Sequence, residues 1–268
     1  MKSVVCILAL LCTAFALEQD VTDPSRTLER LVNLQKTATE AIHNGLVFFE
    51  ERTTQNLKTK LNELKTEALV DIHNTINEAL ENVNLSIDKG KQEGKNVNEC
   101  YSYARNNLET KNTNAIATLD TCIQNGHTAM EGPLANVANS IEAAKKLLND
   151  LDAIIPNCYS TSFLKMQACV VKNLFLTRST LKRVGANARE VTSTAGIIFA
   201  KTIIDARSCT TTNAADTRSF STDIVIYTDN CVRNAPEGTP EPSSTAKTSS
   251  TATPSSSSAK PPSSTGKA

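Results

Sequence analysis

Tryptophan is absent from this chain and other aromatics are scarce, with seven phenylalanines and four tyrosines in 268 residues. Ala, Leu, Ile, Asn and Thr dominate instead, a composition that favours helices packed by aliphatic side chains over a β-sandwich. Neither sign of charge is in excess, with 28 basic and 28 acidic residues, so the basic surplus of a nucleic-acid binder is missing. The three histidines, His43, His73 and His127, stand without an HExxH, a GxSxG, a glycine-rich phosphate loop or a recognisable acid pair. His73 lies one residue beyond the stripe position Ile72, at the edge of a buried face or in solvent, and neighbouring Asp71 does not face it at helical spacing. No CxxC pair with a nearby histidine argues for zinc. The expectation is a non-enzymatic protein with no catalytic residue, no cofactor and no metal site.

Long apolar runs are lacking except at the start. Met1-Lys2-Ser3 is basic, Val4 to Ala14 is apolar, and Ala14-Phe15-Ala16 fits small-x-small cleavage. Residues 1–16 read as a signal peptide, with the mature chain starting at Leu17. That run is too short to span a bilayer, which takes about 20 residues, so no membrane span is expected. The destination is extracellular: a secreted protein. Residues 236–268 are almost wholly Ser, Thr, Pro, Ala and Lys and cannot bury enough apolar surface to offset the entropy of folding. In a secreted chain this is the composition of an O-glycosylated, mucin-like stalk, the alternative being an unmodified flexible tail. Asn84-Leu85-Ser86 is an N-glycosylation sequon at Asn84.

The body between these ends, residues 17–235, is sparing of helix breakers. Only Pro24, Pro133 and Pro156 fall inside it, each where a helical pattern begins. Leu57, Leu61, Leu64, Ala68, Ile72, Ile76, Leu80, Val83 and Ile87 step by threes and fours, the mark of an amphipathic helix. It extends back through Leu28, Leu31, Ile42 and Leu46 and should end near Gly90-Lys91-Gln92-Glu93-Gly94. Core packing explains this stripe better than a membrane surface does, because its polar face is mixed in charge. A second helix is expected from about Asn96 to Asn125, with Val97, Cys100, Ala104, Leu108, Ala115, Leu119 and Cys122 on one side. Gly126 to Pro133 should break it. Leu134, Val137, Ile141, Ala144, Leu148 and Leu151 then follow a coiled-coil step. After Pro156 a last stripe runs through Phe163, Met166, Val170, Leu174, Leu181, Val184 and Val191, with Gly185 and Gly196 as weak points. Residues 210–229 are open between helix and strand, since Asp223 to Thr228 has strand propensity.

Six cysteines remain after the signal: Cys100, Cys122, Cys158, Cys169, Cys209 and Cys231. An even number in an oxidising compartment reads as disulfides. The gaps within successive pairs are 22, 11 and 22 residues, and eleven residues is three helical turns to within about 20°, so each gap returns to nearly the same face. Cysteines 22 apart on one straight helix are about 33 Å apart, far beyond the roughly 7 Å a disulfide spans. Cys100 therefore cannot bond Cys122 unless the helix breaks. The equal spacings suggest a two-rung ladder between antiparallel helices, Cys100 with Cys231 and Cys122 with Cys209, one of fifteen pairings. Cys158 and Cys169 would then meet across a local break. A bond between two chains remains open.

The fold class is thus all-α: an elongated disulfide-stapled bundle of long amphipathic helices followed by a disordered tail. Glu99-Cys100-Tyr101-Ser102-Tyr103 opens one cysteine pair and Asp120-Thr121-Cys122-Ile123 closes it, a second pair ends in Asp229-Asn230-Cys231-Val232, and a Pro-rich tail follows. From Asn33 to Val232 this layout resembles the insect secreted TsetseEP-domain family. Pro236-Glu237-Gly238-Thr239-Pro240-Glu241-Pro242 holds a brief Glu-Pro element, without the extended repeat of the namesake. The resemblance implies residence in gut, haemolymph, saliva or reproductive fluid, with no established enzyme activity. Two functions fit: a structural or interaction protein of an extracellular fluid or epithelial lining, with a protein or glycan partner, or a carrier of a lipid or small hydrophobic ligand in a helical-bundle cavity.

Overall fold

The computed structural model describes residues 24–238; the expected signal peptide at 1–16, the expected mature start at Leu17 and the Ser/Thr/Pro tract past residue 238 lie outside them. Three long helices and one short one make up the described chain: α1 (Pro24–Gln92), α2 (Asn98–Asp152), α3 (Ile154–Cys158) and α4 (Phe163–Asn234). At 1.5 Å per residue, the 69 residues of α1 and 72 of α4 each extend about 100 Å. The fold is all-α. Among the described residues the β-type pairing is one isolated bridge between Lys95 and Glu237.

The chain goes up, down and up again. Lys36 of α1 pairs with Asp152 at the far end of α2, and Lys65 with Asp120, so α1 and α2 are antiparallel. Gln35 bonds Leu174 and Thr177, and Arg218 bonds Asp71, so α4 runs parallel to α1. The core between them is a continuous series of aliphatic clusters, from Leu28, Leu147, Leu151 and Val170 at one end to Val83, Ala104, Leu108 and Val232 at the other.

The buried positions change period along the rod. In the half that holds the start of α1, the seam steps 4-3-4-3, as in Leu28, Val32, Gln35, Thr39, Ile42 and Leu46, or Val170, Leu174, Thr177, Leu181, Val184 and Ala188. In the other half it steps 4-4-3: Leu61, Ile72 and Val83 are eleven apart, as are Val97, Leu108, Leu119 and Met130, and Thr210, Ser221 and Val232. A seven-residue repeat winds helices left-handed and an eleven-residue repeat, at 3.67 residues per turn, winds them slightly right-handed. The cysteine spacing of 22 is therefore two periods of the half in which Cys100, Cys122, Cys209 and Cys231 lie.

Several boundaries depart from the expected ones. α2 does not break at Gly126 or Pro133; both are inside it. Gly126 is buried where an added Cβ would come within 2.9 Å of Leu61 Cδ2, and Met130 and Val137 on either side of the proline are fully buried. Packing of two adjacent turns against α1 and α4 outweighs the lost backbone hydrogen bond, about 3 kcal/mol in an isolated helix. Pro24 does begin a helix, but Pro156 is the third residue of α3, and the last long helix starts at Phe163 after the loop at 159–162. α4 passes through Gly185 and Gly196 and continues over residues 210–229 without a strand. The stripe also shifts in detail: Ala79 is buried in place of half-buried Leu80, Ser140 and Leu147 are buried in place of half-buried Ile141 and Leu148, and Leu31 is 46% exposed.

The α1–α2 turn is held from the other end of the chain. Gly94 takes φ +76°, which a side chain disfavours, and the turn receives Gly238 N–H on Gly94 O at 2.7 Å and donates Asn96 N–H to Pro236 O at 2.9 Å. Lys95 Nζ donates to the last carbonyls of α4 at Val232 and Arg233. Beneath it, a Cβ on Gly90 would sit 2.6 Å from Val232 Cγ1 and 2.7 Å from Val97 Cγ1. Gly90→Ala should therefore destabilise the protein by about 1–2 kcal/mol, because overpacking against two stiff valines exceeds the roughly 1 kcal/mol helix-propensity gain. A urea midpoint at or above the parent's would refute this.

Candidate interaction surfaces and the disulfide ladder

The six cysteines meet in three pairs, Cys100–Cys231, Cys122–Cys209 and Cys158–Cys169, with Cα–Cα distances of 5.8, 5.8 and 5.5 Å. The first two are rungs between α2 and α4, and the intact α2 excludes a Cys100–Cys122 bond. The sequence spacing places all four on the right faces. Cys100 and Cys122 occupy core positions of α2, while Cys209 and Cys231 each precede a core residue of α4, Thr210 and Val232. The third pair closes around the loop at 159–162, the local break that its eleven-residue spacing required. Asn173 Nδ2 donates to Cys169 O at 3.0 Å and to Cys158 Sγ at 3.3 Å, fixing that loop to α4. α1 carries no disulfide, so packing and polar contacts alone hold it against the α2–α4 hairpin.

Asn84 is exposed on α1, with Leu85 63% exposed beside it. The sequon's Ser86 donates its hydroxyl to Asp229 of α4. The histidines are not brought together. His73 is exposed, and Asp71 is engaged by Arg218 at 2.8 and 3.0 Å; His43 bonds the adjacent Asn44, and His127 lies half-buried on α2. Among the described residues no group of three or more His, Cys, Asp or Glu side chains is placed to hold a metal ion. No helix among them is long and apolar enough to cross a membrane.

Two clefts of about 540 and 360 Å³ follow the groove between α2 and α4. The larger is lined by Lys146, Asp150, Arg183 and Asn187 with Leu147 and Val184 at its floor, and the smaller by Asn136, Asn139, Ser140, Asn187 and Glu190. Asn187 belongs to both and donates to Ser140 Oγ at 2.8 Å. The smaller is mainly polar, while the larger presents polar and apolar surface in about equal measure. Hydrogen bonding and the charge of Asp152 raise the Lys36 pKa above its ordinary value, and both side chains are partly open to solvent.

Two polar features were not anticipated. The core face of α4 is studded with Thr202, Thr210, Asn213, Thr217, Ser221 and Thr228, all buried. Asn213 Nδ2 reaches Ala115 O across the interface at 2.8 Å, while Thr210, Thr217 and Thr228 donate to carbonyls three or four residues back. The Thr-rich composition of residues 210–229 was the visible signal. The second is the absence of any acidic residue from Ala153 to Arg189, concealed by the charge balance of the whole chain.

No protein-family model matches the chain, and no curated protein matches it.

Proposed function

We propose that the chain is a secreted, non-enzymatic structural or interaction protein of an extracellular fluid or epithelial lining. The observation that carries this reading is the ladder Cys100–Cys231 and Cys122–Cys209 clamping α2 to α4 along a rod about 100 Å long. Three disulfides fit an oxidising compartment. A clamped rod resists proteases and holds its two ends at a fixed separation, and a glycosylated Ser/Thr/Pro tail would hydrate and extend it. Exposed Asn84 has room for a glycan, and an extracellular protein or glycan is the expected partner. The core supports this reading over a carrier's, since Leu61, Ile72, Leu108, Leu119 and Met130 are all fully buried against one another's helices, and the two clefts between α2 and α4 are open grooves rather than enclosed cavities. Intact mass of the protein purified from its native fluid, taken under non-denaturing and then denaturing conditions, tests it. A bare polypeptide heavier only by sugar supports the structural role. A small-molecule mass lost on denaturation would assign the protein to ligand transport instead.

A further inference from the structure

The first half of α4 carries an exposed face that is apolar at its start and basic further along. Leu164, Ala168, Val171, Phe175, Arg178, Lys182 and Arg189 recur at steps of 4, 3, 4, 3, 4 and 7, and all are exposed. At 3.6 residues per turn they lie roughly 120° around the helix from the core seam of Val170, Leu174, Thr177, Leu181 and Val184. Leu164 and Phe175 are each 75% exposed and Val171 is 51% exposed. The stripe thus begins apolar over about 16 Å and turns cationic. Lys165 and Lys172 flank its apolar part, each one residue beyond Leu164 and Val171.

Charge on this face is uncompensated. From Ala153 to Arg189 there are six basic residues and no acidic one, and none of the six forms an ion pair among the described residues. Arg183 alone turns to the α2 cleft, where Asp150 faces it. At the same level on α1, beside Gln35, Leu31 and Leu34 add two further exposed leucines. Tyr159, 79% exposed, and Leu176, 56% exposed, complete the apolar surface toward this end.

We propose that this face, Leu164, Val171 and Phe175 framed by Lys165, Lys172, Arg178, Lys182 and Arg189, docks the end of the rod on an anionic lipid surface. Cations near an anionic bilayer are attracted to it, and apolar side chains between them enter the headgroup boundary. Both requirements are met on one helix face that the bundle holds rigid. An anionic glycan would use the cations and leave the three apolar side chains in water. A second copy would oppose five like charges to five, which disfavours self-association. The proposal goes beyond the structural reading and does not depend on it.

The test is flotation of the oxidised chain beginning at Leu17 with vesicles of equal parts phosphatidylcholine and phosphatidylserine, and with phosphatidylcholine alone. The chain should float with the anionic vesicles at low salt, release as salt rises, and stay behind with neutral ones. Lys172→Glu and Arg178→Glu should each weaken partition by about five-fold or more, and Phe175→Ser by about ten-fold or more. Leu85→Ser, on an exposed site at the other end of the rod, should change nothing. Unchanged melting curves establish that the exposed substitutions leave the fold intact. Absence of flotation would overturn the proposal. So would a Phe175→Ser variant that binds as tightly as the parent while charge reversal abolishes binding, which would mark an anionic-polymer surface, or a concentration-dependent dimer abolished by Phe175→Ser, which would mark a contact between copies.

Discussion

Replacing Cys122 and Cys209 together by serine should lower stability by about 4 kcal/mol, and removing Cys100 and Cys231 in the same chain should bring the total loss to roughly 9 kcal/mol. The two figures differ for a topological reason. The bridges are nested, Cys122–Cys209 closing 87 residues within the 131 closed by Cys100–Cys231. With either in place, the other closes only a ring made of the two 22-residue segments between rungs, about 44 residues, and the entropy removed from the unfolded chain grows only with the logarithm of ring size. Each single deletion therefore costs about the same, and the last remaining bridge restrains somewhat more than the first one lost. A loss near 9 kcal/mol is most of the stability of an ordinary domain. Urea midpoints of the parent, the two double-serine variants and the four-serine variant measure it. If either double-serine variant loses less than about 1 kcal/mol, the reduced chain is already compact or α2 and α4 are held by packing alone.

That prediction draws on what was most readable in the sequence. A gap of 22 residues on a helix is a statement about faces, and two equal gaps suggest a ladder between antiparallel helices, one pairing among fifteen. The same arithmetic extends to the core once burial is known: Leu61, Ile72 and Val83, or Thr210, Ser221 and Val232, share the eleven-residue period of the cysteines. What was not readable is where tertiary packing overrides local preference. Asp223 to Thr228 has the β-branched composition of a strand, yet Ile224 and Thr228 fall on the buried face of a helix tethered at Cys209 and Cys231, and Thr228 satisfies its hydroxyl on Ile224 O at 2.8 Å. The basic face of α4 was hidden for a different reason. Its lysines and arginines are ordinary solvent-facing residues one at a time, and the missing acids show only when the run from Ala153 to Arg189 is viewed apart from a neutral whole.

Pro133→Ala should stabilise the protein by about 2 kcal/mol and raise its melting temperature by roughly 4–8 °C. In the interior of a helix proline costs about 3 kcal/mol relative to alanine. Part of that is already relieved here, because Ala129, whose carbonyl would accept the missing N–H, is exposed and can bond water, and because proline also restricts the unfolded chain by up to about 1 kcal/mol. The substitution discriminates between the two accounts of this segment. Were α2 to end before Pro133 and restart at Pro133, proline would occupy the favourable first helical position, and alanine there would be neutral or destabilising. In the continuous helix the proline stands where the eleven-residue seam ending at Met130 passes into the seven-residue seam beginning at Val137. The proline thus stands where the pitch of the seam changes in any case, a position that tolerates its ring against the preceding turn. Alanine should therefore raise the melting temperature without altering the Cys122–Cys209 link. A fall on thermal melting would return the helix break to residues 126–133.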